Sequence, residues 1–124
     1  MIFPSDMTIL ALPYPPSVNS YWLSRGNRRY ISKRGQLFKK AVADYVLEHR
    51  IPKLNDIPLA VTVILYPRSK KLMDVDNCLK PILDACQDAG IFNDDVQVQF
   101  LLVTRGDLKK GGGCTVMIKE FHPV

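Results

Sequence analysis

Residues 68–95 read RSKKLMDVDNCLKPILDACQDAGIFNDD. This stretch holds the cations Arg68, Lys70 and Lys71, an Asp-x-Asp-Asn step from Asp74 to Asn77, then Lys80, and a closing Asp94-Asp95 pair. Magnesium prefers hard oxygen ligands, usually a few carboxylates with waters and phosphate oxygens completing the shell. Such an ion activates a water and neutralises charge that builds on a phosphodiester under attack. A neighbouring lysine stabilises the same charge. Carboxylates and cations gathered this closely point to metal-assisted chemistry on a phosphate.

A plainer reading fits the same residues. Asp76 stands where a helix N-cap belongs, Asp74 favours the helix dipole, and Lys80 answers both as a surface ion pair. The pattern predicts a helix from about Asn77 to Ala89, ended by Gly90. Leu79, Ile82, Leu83, Cys86 and Ala89 form its apolar stripe, while Asp76, Lys80 and Asp84 step by four along the other side. Pro81 is comfortable only in a first turn, so the helix either begins near Asn77 or Cys78 or is kinked there. Asn93-Asp94-Asp95 reads as a polar turn or as a second half of a site, depending on whether folding brings it back to the helix entrance.

Other chemistries built on Asp-x-Asp fail on context. An EF-hand loop counted from Asp74 needs glycine and glutamate where the chain has Leu79 and Ala85. A phosphotransferase strand needs an apolar run before the aspartates, and RSKKLM is basic. A sugar-nucleotide site belongs in a much larger domain.

The elements that must position these residues follow from the hydrophobic pattern. MTILAL, residues 7–12, predicts a first strand stopped by Pro13, and PYPPSVNS after it is too rich in proline for a helix or central strand. Residues 21–31 form a hairpin or a basic loop around Gly26-Asn27. A helix is expected from Ser32, as N-cap, to about His49, with Leu37, Phe38, Ala41, Val42, Tyr45 and Val46 on one face. LAVTVILY, residues 59–66, predicts an interior strand covered on both faces. DVQVQFLLVT (95–104) and CTVMIKEF (114–121) read as two strands of a hairpin closed by the glycine-rich RGDLKKGGG. The result is an α+β fold: a small mixed β-sheet with two packed helices, in the order β, basic loop, α, β, α, β, β.

The 124 residues suit a single domain spanning 1–124, with a core of its own. No apolar run reaches the ~20 residues of a membrane span, and the N-terminus lacks a signal-peptide pattern, so a cytoplasmic protein is expected. Cys78, Cys86 and Cys114 form an odd set without a C-x-x-C pair, which disfavours a disulfide framework or a zinc site. The net charge is +5, unevenly spread: residues 21–40 carry seven cations and no acid, and residues 81–100 carry four aspartates and no base. A basic surface beside an acidic cluster can attract a polyanion and hold a cation.

Taken together, LPYPPSVN, the basic region after it, DVDNCLK, DAGIF and DDVQV resemble the RusA family of Holliday junction resolvases, over most of the chain. The resemblance implies a homodimer that makes paired symmetric nicks in four-way junction DNA with magnesium or manganese, in recombination and repair, often from a prophage. It places the metal-binding carboxylates at Asp74, Asp76 and Asp95 and the catalytic lysine at Lys80. The acid-free basic run offers Arg25, Arg28, Arg29, Lys33 and Arg34 as DNA-binding residues, with Arg68, Lys70 and Lys71 nearer the metal. Tyr21, Trp22 or Tyr30 would stack on unpaired bases or pack into the core. Two further hypotheses are a branched-DNA-binding protein that does not cut and a less selective structure-specific nuclease.

Overall fold

The computed structural model describes residues 7–71 and 74–123. Six strands and three helices follow one another: β1 (Thr8–Leu12), α1 (Val18–Tyr21), β2 (Trp22–Arg25), β3 (Arg28–Ile31), α2 (Lys33–Glu48), β4 (Leu59–Tyr66), α3 (Leu79–Asp88), β5 (Val98–Arg105) and β6 (Gly113–Glu120). Short 3-10 turns at Val75–Cys78 and Asp95–Gln97 bracket α3. The main sheet is mixed, in the order β1-β6-β4-β5, and β2 and β3 form a separate hairpin.

Alternation decides which sheet face is buried. Leu59, Val61, Val63 and Leu65 of β4 point to one side with Val116 and Ile118 of β6 and Leu10 and Leu12 of β1. Phe38 and Val42 of α2 and Ile82, Ala85 and Cys86 of α3 close over them, joined by Ile91 and Phe92 from the chain leaving α3. Each large apolar side chain so buried contributes about 1.5–3 kcal/mol of transfer free energy. That packing fixes where α3 begins and ends relative to the sheet.

The expected hairpin between the last two strands does not form. β4 lies between them, paired parallel with β5 (Val61↔Leu101, Val63↔Val103) and antiparallel with β6 (Val61↔Ile118, Val63↔Val116). The reason is the helix: a β4-α3-β5 crossover returns the chain in the direction it left, so β5 must run parallel to β4. The glycine-rich connection wraps the end of β4, where the Gly106 N–H donates to the Leu65 carbonyl (2.7 Å) and the Lys109 N–H to that of Pro67 (2.9 Å). A β-carbon on Gly106 would lie 2.8 Å from the Tyr66 ring, so this wrap requires a glycine there.

The second face of β4 also departs from expectation. Thr62, Ile64 and Tyr66 are only half-buried, and Phe100 and Leu102 beside them on β5 are exposed. β4 is thus central in the sheet but fully covered on one side only.

The basic segment resolves as a hairpin, with Gly26 at φ 62° supplying the left-handed residue its two-residue turn needs. Ser32 caps α2 as anticipated. Its hydroxyl accepts from the Gly35 N–H at 3.0 Å and donates to the Ser20 carbonyl, joining helix, hairpin and α1. Leu37 instead faces outward, 60% exposed. Removing a buried cap oxygen costs about 1–2 kcal/mol. Ser32→Ala is therefore expected to lower the unfolding free energy by that amount in urea titration, with the cooperativity of the transition unchanged.

Candidate functional site

The site is built at the two ends of α3. Its entrance is the 3-10 turn, in which the Asn77 N–H bonds the Asp74 carbonyl (3.2 Å) and the Leu79 N–H the Asp76 carbonyl. Neither Asp74, at the cap of that turn, nor Cys78, at the cap of α3, makes a side-chain capping bond. The capping role open to Asp76 in the sequence is therefore not taken. Asp74 and Asp76 are both exposed, and among the described residues neither carboxylate forms an ion pair. Pro81 falls in the first turn of α3, where its missing N–H has no intrahelical partner to lose. The helix starts later than its apolar pattern suggests because the 3-10 turn takes the preceding residues.

Lys80, in that same first turn, reaches the far end of the helix–strand connection: its ammonium lies 2.5 Å from Asp95 Oδ2. Folding thus does return the closing acidic pair to the helix entrance. Two glutamines hold it there. Gln87 Oε1 on α3 accepts from the Asp95 N–H (3.0 Å). Gln97 Oε1 accepts from the N–H groups of Asn93 (2.9 Å) and Asp94 (3.0 Å), while its amide nitrogen donates to the carbonyls of Asn55 (2.9 Å) and Ile57 (3.1 Å). Sequence reasoning missed both glutamines. For Gln97 a signal was present, since Asp94 and Gln97 have the spacing of a capping box.

The remaining acids have other employment. Asp94 Oδ1 accepts from the Val96 N–H at 3.0 Å and caps the second 3-10 turn. Asp88 pairs with Lys39 of α2. Asp84, expected on the surface, is half-buried and accepts a 2.5 Å hydrogen bond from the hydroxyl of Tyr21. Burial, with this bond, pushes the Tyr21 phenol well above its ordinary range. Tyr21 is fully buried and so cannot stack on a base. Its edge packs on Trp22, and the Arg29 guanidinium sits 4.7 Å from the Trp22 ring centre, leaving Tyr30 as the open aromatic of the hairpin.

The candidate DNA-binding residues fall into two groups. Arg25, Arg28 and Arg29 lie on the exposed hairpin and lead into Lys33 and Arg34 in the first turn of α2. Arg68, Lys70 and Lys71 are exposed on the loop that runs from β4 toward Asp74. All three cysteines are buried free thiols, as expected of packing residues, and burial pushes those of Cys86 and Cys114 up to about 12.

The hydrogen bond from Lys80 holds Asp95 below the usual carboxylate range, so it is an anion at neutral pH. The donor chemistry of Asp74, Asp76 and Asp95 suits a hard divalent cation, all three being carboxylates. Their arrangement gathers Asp95 with Lys80 rather than around one point with the others. Among the described residues, no three His, Cys, Asp or Glu side chains form a metal-ligand cluster. A carboxylate whose pKa is lowered on folding stabilises the native state above its unfolded pKa, and this is lost as pH falls through the folded value. Lys80→Ala should therefore move the Asp95 pKa up toward the ordinary range in a carbon-13 NMR titration. The stability difference between the two proteins should be present at neutral pH and vanish in acid.

Comparison with known proteins bears on this arrangement. A family profile described as endodeoxyribonuclease RusA matches residues 13–119, which span all of this site. The chain is 36% identical to the crossover junction endodeoxyribonuclease rusA of Enterobacteria phage HK97, over 91% of this chain and 94% of the relative. It is 30% identical to the protein of that name from Enterobacteria phage 82 and 29% to that from Escherichia coli K12, each over 90% of this chain and 93% of the relative. With its Asp-Val-Asp-Asn turn, its lysine one helical turn on and its returning Asp-Asp pair inside the matched region, the chain belongs to the RusA endodeoxyribonuclease family.

Proposed function

We propose that this chain is a Holliday junction resolvase, an endodeoxyribonuclease that makes paired symmetric nicks in four-way DNA junctions during recombination and repair. The observation that carries the reading is the contact of Lys80 with Asp95 at the entrance of the helix that carries Asp74 and Asp76 before it. Asp74, Asp76 and Asp95 would hold magnesium, or manganese in its place, which supplies an activated water and charge neutralisation on the scissile phosphate. Lys80 presents its half-exposed ammonium to the charge that builds on the phosphate, and in the absence of DNA keeps Asp95 ionised. Gln87 and Gln97 are positioning residues that fix the backbone on either side of Asp95.

The cations bind phosphates without reading sequence. Lys33 and Arg34 support this, because they occupy the positive end of the α2 dipole with no acid in that turn. Cations there are unfavourable unless an anion from outside joins them. A resolvase acts on two equivalent strands, so a two-fold homodimer supplies the second site. Support for a dimer comes from β5, an edge strand whose Phe100, Leu101 and Leu102 are all exposed and which carries no lysine or proline guard. Among the described residues no helix is long and apolar enough to cross a membrane, consistent with work on DNA in the cytoplasm.

Asp76→Asn is expected to abolish nicking of a synthetic four-way junction, by roughly a thousandfold or more, while gel-shift affinity stays within a few-fold. Lys80→Ala should slow nicking with the protein still folded. Full magnesium-dependent cleavage by the Asp76 variant would remove the assignment. For the dimer, Leu101→Lys should shift sedimentation toward the monomer and reduce paired nicking.

A further inference from the structure

A groove of about 490 Å³ lies between the proline-rich loop after β1, the start of α2 and the loop after β4. Tyr14, Leu37, Ser17, Arg34, Arg68 and Lys71 line it, and among the described residues no acidic side chain does. Its volume is that of a small-ligand site. Three cations around apolar and aromatic walls make an arrangement complementary to a nucleotide, with phosphate at the rim and base against the walls. Leu37 gives independent support. It sits within a helix whose neighbouring Phe38 is buried, yet it turns 60% of its surface to this groove and solvent.

The groove is joined to the carboxylates through one residue. The Cys78 thiol donates to the carbonyl of Pro15, the residue next to Tyr14, at 3.9 Å. Cys78 closes the 3-10 turn that contains Asp76. The loop between β5 and β6 closes the groove from behind: Gly112, at φ 72°, lies so close that a β-carbon there would be 3.1 Å from Cβ of Tyr14 and 3.4 Å from Cβ of Arg68. The glycine-rich connection thus backs the groove, and the position of Tyr14 is tied to that of the catalytic turn.

We infer that this groove receives a nucleotide adjoining the scissile phosphate, its base against Tyr14 and Leu37 and its phosphate between Arg34, Arg68 and Lys71. At a four-way crossover the strand leaves its stack, so a base there is available for capture at lower cost than one within a duplex. The groove would therefore add base contact to phosphate-directed binding, and select where along the junction the cut falls. This rests on the resolvase reading of the site.

The test couples the base to the groove. Cuts are first mapped on an intact junction, and junctions are then made that lack the base at each nucleotide flanking the cut. Wild-type protein should bind one of these roughly tenfold more weakly than the intact junction, the loss expected for one stacked base. Tyr14→Ala and Leu37→Ser should bind the intact junction more weakly and no longer distinguish it from the abasic one. Leu37 is exposed, so its variant tests the groove even if the Tyr14 variant fails to fold. Equal wild-type affinity for intact and abasic junctions, or discrimination retained by Leu37→Ser, would overturn the groove assignment while leaving junction cleavage standing. Failure of the wild-type chain to bind or cut the intact junction would overturn the resolvase reading and this inference with it.

Discussion

Lys80 and Asp95 meet because α3 is pinned along its whole length. The two residues are 15 positions apart, and nothing local brings them together. Ile82, Ala85 and Cys86 anchor the helix to the sheet, Ile91 and Phe92 anchor the chain that leaves it, and β5 then sets out beside β4. Each anchor is apolar and each is buried, so a nonspecific force places a specific polar contact. The glutamines refine what burial has already brought within reach, Gln87 from the helix side and Gln97 from the strand side.

This division explains the distribution of acids in the segment. Asp84, Asp88 and Asp94 are each occupied, by Tyr21, Lys39 and the backbone of Val96 respectively. Asp74 and Asp76 make no such bonds among the described residues, and Asp95 is held by a cation that the proposed reaction itself requires. Exposed carboxylates left without structural work are the ones open to a ligand. Asp84 shows the opposite case, where a carboxylate at helical spacing from Lys80 serves to tie α1 to α3.

The sequence made the local features legible. Ser32 as a cap, the strand of β-branched residues at 59–66 and the Asp-x-Asp turn before a helix all follow from side chains and spacing, while Gly26-Asn27 left a hairpin and a basic loop both open. Pairing was harder to read. The seven residues 106–112 have the composition of a hairpin turn, and composition does not distinguish a turn between neighbours from a wrap around a third strand. The β4-α3-β5 order carried that information through crossover geometry. Gln87 is hidden for a similar reason: its partner is a backbone group, and backbone groups have no sequence signature, whereas Gln97 is marked only by its capping-box spacing from Asp94. Tyr14 became visible only when the proline loop, α2 and the loop after β4 were seen to share one groove.

The central claim is that the two ends of α3 form one metal-dependent phosphodiesterase centre, used twice on a branched DNA. Its most direct measurement is the cleavage of a labelled four-way junction by the purified chain, with each strand mapped, in magnesium and in chelator. The account predicts paired nicks at symmetric positions in opposing strands with magnesium and none in chelator. A junction that is retained by the protein but stays uncut across magnesium and manganese would contradict it.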